Sequence, residues 1–242
     1  MTSVTILQSA ADLRPEWVSR CMRSVADWSQ RQGYAYLCIG DELFDWVTPG
    51  LRKKLGERTP ILADLARLRW IESELATRKG LVVWIDADTL VVDPTWRIPD
   101  SVHTFFGEEC WVQEMAEGTW RAYQSPHNAF MGFTAASPVL GFLVYLSESI
   151  IERADAAHIA PQMVGPKLLK ALNNLAQFSL VPEAGAVSPE LLAEWVSESG
   201  KATRCYEQAH RPPLALVNLC SSLNDSDEAL QRVEQFLTYH GA

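Results

Sequence analysis

Leu81-Val-Val-Trp-Ile85-Asp86-Ala-Asp88-Thr89 decides how this chain is read. Its first five residues are continuously apolar rather than alternating, which predicts a strand covered on both faces. Two carboxylates end it, and because alternate strand residues share a face, Asp86 and Asp88 can converge at its carboxyl end. Upstream, Thr59-Pro60 reads as an N-cap and first-turn proline of a helix that carries Leu62, Leu65, Leu68 and Leu75 on its buried side and stops near Gly80. Before that come a short strand at Val4–Gln8, an amphipathic helix from Pro15 to Arg31 with Trp17, Val18, Cys21, Val25 and Trp28 at helical spacing, and a strand at Tyr34–Ile39. Downstream, the pattern predicts a strand at Ala129–Thr134, helices at Pro138–Ala154 and Gly165–Leu175, a strand at Leu214–Leu219 and a last helix from Asp225 to Tyr239. Strands interleaved with helices predict an α/β sheet whose ligands sit at the carboxyl ends of the strands. With no repeat, low-complexity tract or linker, residues 1–242 are expected to form a single domain.

The composition is that of an ordinary globular chain, 48% hydrophobic and 21% charged, which excludes disorder, collagen and coiled coil. A formal charge of −9, with no basic block, argues against a nucleic-acid or anionic-membrane partner. Phosphates would have to be met locally, by a metal ion or a few placed arginines. Five widely spaced cysteines without a CxxC read as reduced thiols of a cytoplasmic protein rather than a disulfide framework or zinc site. Charged residues in the first twenty positions argue against a cleaved signal, and the longest apolar run, near Val139–Leu146, is too short to span a bilayer.

Two hard oxygen ligands at one point suit Mg²⁺ or Mn²⁺, and a metal keeping open positions would neutralise a diphosphate. Spacing alone does not single out this pair, because Asp225-Ser-Asp227 repeats it. Context separates the two: one pair follows a buried strand, whereas the other caps an exposed helix with favourable first-turn charge. Asp64 and Arg67, three apart on the preceding helix, are either a solvated ion pair or part of the same site. Trp17, Trp111 and Trp120 are read as core or as stacking surfaces for a base or sugar. His127 beside Asn128 is either a sugar contact or a turn residue before a strand. Gly165-Pro166 either shapes an acceptor side or simply starts a helix.

Taken in order, Ala63-Asp64-Leu-Ala-Arg67 and Gly80-Leu-Val-Val-Trp-Ile-Asp86-Ala-Asp88 resemble the Ser/Ala-Asp-x-x-Arg … Gly-x-x-Tyr-x-Asp-x-Asp signature of DXD glycosyltransferases. The subgroup most resembled holds the initiating α-1,6-mannosyltransferases and the glucosyltransferase domains of large toxins. Pro15-Glu-Trp17, Cys21-Met-Arg-Ser-Val25, Trp28, Gly33-Tyr34, Asp41, His127-Asn128-Ala-Phe-Met131 and Val164-Gly165-Pro166 are similar to further motifs of that family, covering about residues 4 to 175. The resemblance implies a GT-A fold, that is, a nucleotide-diphospho-sugar transferase fold with a single Rossmann-like mixed sheet flanked by helices. It also implies metal-dependent transfer from a UDP- or GDP-sugar to a glycan, lipid-linked or protein acceptor, with retention of configuration. By the same resemblance Asp88 would chelate Mn²⁺ or Mg²⁺ directly and Asp86 through water. Asp64 and Arg67 would hold the donor sugar, with Arg67 near the diphosphate, and Gln8 would sit by the nucleotide. His127, Asn128, Gly165 and Pro166 complete the expected substrate side. The family's C-terminal metal ligand, a His before a Trp, has no clean match; Asn218 is the candidate, with His210 and His240 behind it. The interval from Asp64 to Asp86 is longer than usual in the family, and Gly80 stands alone where Gly-Gly is common.

Two other functions use the same residues. A haloacid-dehalogenase-like phosphatase would use Asp86 as nucleophile and Asp88 as general acid, but its pattern wants Thr or Val where Leu90 stands, on the first strand of the domain. An inactive GT-A-like domain would bind a nucleotide sugar without transferring it.

Overall fold

The computed structural model describes residues 2–155, 158–160, 162–197, 200–210, 212–220, 223 and 227–240, leaving aside the side chain of His240. The chain opens with β1 (Val4–Ser9), α1 (Glu16–Gln32) and β2 (Ala35–Ile39), the βαβ unit expected. α1 ends at Gly33, whose φ of 74° is left-handed, and the Tyr34 N–H closes back on the Ser29 carbonyl. Between β2 and the motif strand lie a 3₁₀ turn at Asp41–Trp46, α2 (Pro49–Leu55) and α3 (Thr59–Thr77). Neither the turn nor α2 is visible as a periodic pattern, since each is under two full turns of apolar repeat. α3 begins at Thr59 itself, with Arg58 as its N-cap and no side-chain cap.

The motif strand β3 (Leu81–Ile85) is buried throughout, as its composition predicts. Val82 and Trp84 enter a core with α3 and with α4 (Leu140–Arg153), while Leu81, Val83 and Ile85 pack toward Val25 and Trp28 of α1. β1 pairs in parallel with both β2 and β3. The chain therefore leaves β1 toward one side of the sheet and returns to its other side, and the order reverses between β1 and β3.

The remainder departs further from the sequence reading. After β4 (Thr89–Val91), which was not expected, two long antiparallel strands, β5 (Thr104–Glu114) and β6 (Trp120–Thr134), build a hairpin of which only Ala129–Thr134 was expected. Its polar residues and Pro126 obscure the alternation there, and a register shift between Phe106 and Gly107 breaks it again. After α4 follow α5 (Pro166–Ala176), β7 (Leu180–Val187), α6 (Pro189–Ser197), α7 (Lys201–Ala209), β8 (Leu216–Asn218) and α8 (Asp227–His240). β7, α6 and α7 are additions to the expected order. Asp225, read as the cap of the last helix, lies outside the described residues, and Asp227 occupies the first turn of α8.

All eight strands among the described residues join one mixed sheet in the order β2-β1-β3-β6-β5-β7-β8-β4, with helices on its two faces. α6, α7, α8 and the start of α1 enclose a second core around Trp195, Val187 and Val217. No helix among the described residues is long and apolar enough to cross a membrane.

Candidate active site

The backbone that carries the two carboxylates is tied to three strands. The Asp86 N–H donates to Ala129 of β6, the Thr89 N–H to Asp86, and the Leu219 N–H, just past β8, to Asp88. Gln8, at the end of β1, adds a side-chain bond at 3.2 Å to the Asp86 carbonyl and itself accepts from the Tyr36 hydroxyl at 2.8 Å. Gln8 is fully buried and both ends of its amide are engaged. In this structure it fixes the strand end.

Asp64 and Arg67 are not a solvated pair. α3 is buried on nearly every side between Ile61 and Ile71, and the two residues are 7% and 8% exposed. The Arg67 guanidinium donates to Oδ1 of Asp86 at 2.9 Å and to the Asn128 carbonyl at 3.1 Å, and it lies 3.3 Å from Oδ1 of Asp64. It also stacks over the Trp84 ring, 5.1 Å from the centroid. Trp84 Nε1 donates to the same Asp86 oxygen. Oδ1 of Asp86 is thus held by two donors, and Oδ2 has no hydrogen-bond partner among the described residues. Trp84 was no candidate from sequence; the two-residue spacing that lets Asp86 and Asp88 share a face is the signal that places its indole beside Asp86.

Asn128 donates to Oδ1 of Asp64 at 2.7 Å. Burial pushes the Asp64 carboxyl above its ordinary range, and Arg67 and the Asn128 bond oppose the rise. Gly165 closes over this pair: a Cβ there would lie 2.3 Å from Asp64 Oδ2 and 2.9 Å from Asn128 Nδ2. The glycine of Gly165-Pro166 is needed for this close approach, while Pro166 takes the first position of α5. A cavity of about 10 Å³ beside Asp64, Asn128 and Gly165 has room for about one water.

His127 is neither a turn residue nor exposed to a cleft. It lies inside β6, its Nδ1 accepting from the Ala129 N–H and its Nε2 donating to the Ala184 carbonyl of β7 at 3.0 Å. A ring used this way is neutral, and burial pushes its pKa below the ordinary histidine value. Of the tryptophans singled out, Trp17 is core at 3% exposure, while Trp111 and Trp120 are half-buried on the hairpin.

Asn218 stands directly opposite Thr89 in the β8–β4 pair. Its amide nitrogen donates to Asp88 Oδ1 at 2.6 Å and to the Thr89 hydroxyl at 3.2 Å, while its Oδ1 accepts from the Cys220 N–H at 3.0 Å. The structure therefore brings Asn218 to Asp88 across 130 residues of sequence. His210 does not join it. It is buried at the end of α7, stacked 4.9 Å from Tyr206.

A cleft of about 310 Å³ opens where the strand order reverses, lined by Ser9, Ala10, Phe44, Ala63, Arg67 and the Asp86–Asp88 turn, among others. That volume is at the lower end for small-molecule sites. Among the described residues no group of three or more His, Cys, Asp or Glu forms a metal cage. Asp86 and Asp88 carry hard oxygens of the kind Mg²⁺ accepts when substrate phosphates complete its shell, whereas Asn218 turns its amide nitrogen to Asp88 and its oxygen to the Cys220 N–H.

No family model matches this chain, and no curated protein matches it. Among solved structures it is similar to a glycosyltransferase involved in the glycosylation of the major capsid of PBCV-1, with 11% identity, a TM-score of 0.48, and 98% of this chain and 99% of that chain covered. It is also similar to the inositol-1-phosphate CTP transferase from T. maritima, with 10% identity, a TM-score of 0.38, and 100% and 98% covered.

Proposed function

We propose that the chain transfers a sugar from a nucleoside-diphosphate sugar, UDP- or GDP-linked, to an acceptor hydroxyl on a glycan, lipid-linked precursor or protein, with divalent metal and with retention, in the manner of the DXD enzymes its motifs resemble. One observation carries the reading. Asp86 and Asp88 leave the carboxyl end of β3 beside the point of strand-order reversal, on the wall of a cleft that Arg67 also lines. Five widely spaced cysteines without a CxxC fit a reducing, cytoplasmic setting.

Asp88 and Asp86 would hold Mn²⁺ or Mg²⁺, with Asn218 beside them. The donor set fits, because among the described residues Asp86 keeps one carboxylate oxygen without a hydrogen-bond partner and Asn218 steadies Asp88 by donating to its Oδ1. Bound there, the metal would neutralise leaving-group charge on the diphosphate. Arg67 has little reach left for the diphosphate, since Asp64, Asp86 and Asn128 already occupy it. Its part is to hold Asp86 in place and to lend positive charge to that wall of the cleft. Asp64 and Asn128, linked to each other and covered by Gly165, would stand behind Arg67 and hold it in place rather than touch the donor sugar.

Thermal unfolding against UDP, GDP and their sugars, with and without Mn²⁺, tests this. A ligand at 100 times its Kd adds about 2.7 kcal/mol to a native state that alone binds it. The expected result is a Mn²⁺-dependent rise with one base, absent in Asp88→Ala. No rise with any nucleotide overturns the reading, and phosphate release from phosphomonoesters in its place would favour the phosphatase. A rise without turnover would favour a binding protein.

A further inference from the structure

The outer half of the β5–β6 hairpin has two unlike faces. Cys110 and Val112 of β5, with Trp120 and Ala122 of β6, join the core built with α6 and α7. The alternate residues point the other way. There Trp111 stands directly opposite Tyr123, and Gln113 opposite Arg121. Tyr123 is 37% exposed, Trp111 is half-buried, and neither ring enters any of the three cores. The polar groups around them are loosely held. The Gln113 amide and the Tyr123 hydroxyl reach only the Met115 sulfur, each at 3.7 Å, and exposed Arg121 has no side-chain partner among the described residues.

This face is continuous with the site. The pairing of β5 with β7 ends at Cys110 opposite Val187, so Trp111 and the rest of the hairpin project past the carboxyl ends of β7 and β8. Asn218, which donates to Asp88, shares a cross-strand row with Ala186 and Glu109, and residues directly opposite in a sheet point to one face. Trp111 is two residues further along β5 on that face, about 10 Å across the strands and about 7 Å along them from Asn218. A single sugar at the cleft does not reach so far, whereas a short saccharide chain leading away from it does.

We propose that this face is a saccharide platform, on which Trp111 and Tyr123 carry a neutral oligosaccharide, the acceptor, with the end to be extended toward Asp88. Its place in the reaction rests on the proposed donor site; the binding itself does not. A pyranose ring has a C–H face that packs on aromatic rings and a rim of hydroxyls that needs hydrogen-bonding partners. Trp111 and Tyr123 supply rigid, amphipathic rings at low entropic cost, and Gln113 and Arg121 supply the donors and acceptor. Glu109 on the same face and the chain's net charge of −9 set the field against an anionic chain. A protein partner would need a broader apolar centre, and apart from Met115 the side chains beside the two rings are polar.

The test is binding of linear gluco-, manno-, galacto- and N-acetylglucosamine oligosaccharides, followed by tryptophan fluorescence and saturation-transfer NMR, in wild type, Trp111→Ala, Trp111→Phe and Tyr123→Ala. At least one series should bind wild type, more tightly as the chain lengthens. Trp111→Ala and Tyr123→Ala should each weaken it at least about tenfold, and Trp111→Phe, which keeps a ring, should weaken it less. Thermal unfolding checks that the variants fold, and if Trp111→Ala does not, Tyr123→Ala at the exposed ring carries the test. With the bound chain as acceptor and a UDP- or GDP-sugar as donor, its KM should rise more than kcat falls in the alanine variants. No binding by wild type, or unchanged affinity in both alanine variants, overturns the platform. So does a wild-type dimer that Trp111→Ala splits in sedimentation, which would make this face an interface between copies. Nucleotide-dependent stabilisation of wild type, read in the same samples, separates the two assignments. Its presence without saccharide binding removes the platform alone, whereas saccharide binding without it removes the donor site and keeps the platform.

Discussion

The two ends of the sheet are built differently, and the site is assembled from both. The β2-β1-β3 end is parallel, and each strand reaches its neighbour through a helical crossover, so β1 meets β2 after about 30 residues and β3 after about 75. The β5-β7-β8-β4 end closes at long range: Thr89 of β4 waits for Asn218 of β8, 129 residues later. The first end carries Asp86 and its buried anchors Arg67 and Trp84. The second supplies Asn218, and β6 joins the ends through Asn128 and His127. An end whose cores are filled by local helices can hold a charged hub rigidly, whereas an end closed by register holds its polar residues in a row.

The largest test of that difference is Arg67→Leu. It would leave Asp64 buried and Asp86 without a countercharge, and breaking a buried pair from one side costs about 3–5 kcal/mol. Urea unfolding should show the loss, and Asp64→Asn in the same background should recover part of it, since an amide keeps an oxygen for Asn128. A cost below about 1 kcal/mol, the range of an exposed pair, would mean that the hub is solvated and the comparison wrong.

That hub also shows how far the sequence could be read. The apolar run Leu81–Ile85 and the turn that follows are local facts, and with them come β3, its buried setting and the convergence of Asp86 with Asp88. α3 was legible as a helix, but its leucine stripe suggested one buried side. That Asp64 and Arg67 are buried as well follows from α4, α5 and Gly165 closing over them, which no window of sequence contains. Asn218 was a candidate by elimination and reaches Asp88 only through the β8–β4 pair.

A second, smaller contrast comes from two glycines. At Gly107, in the register-closed end, a Cβ would lie 2.2 Å from His127 Nε2 and 2.5 Å from the Ala184 carbonyl oxygen. The backbone atom cannot swing away, so Gly107→Ala should cost about 1–3 kcal/mol, the range of an overpacked core. At Gly50 in α2, beside the crossover-built end, nothing lies within 4 Å. Gly50→Ala should therefore gain about 0.5–1 kcal/mol from helix propensity. Equal effects at the two sites in denaturant titrations would show that the strand seam yields as easily as a surface helix.

The pH dependence of stability sharpens the same seam. His127 and His210 are both buried, and desolvation lowers the folded-state pKa of each below 6.5. Between that lowered value and 6.5 the unfolded chain binds more protons than the native one, so stability is complete above pH 6.5 and falls as pH drops below it. Each histidine adds at most about 1.4 kcal/mol per pH unit to that slope. Asp64 acts in the opposite sense: its folded pKa is raised, so the native state is favoured at low pH and loses that advantage as pH rises from about 3.8 through the raised value. Unfolding midpoints between pH 8 and 5 should therefore stay level to about 6.5 and then decline. His127→Gln, which keeps a donor for the Ala184 carbonyl but cannot titrate, should remove part of the decline while lowering the whole curve. An unchanged slope in that variant would mean that the ring is already charged in the native state. It would then be hydrated, and the β6–β7 seam would open to solvent beside the site.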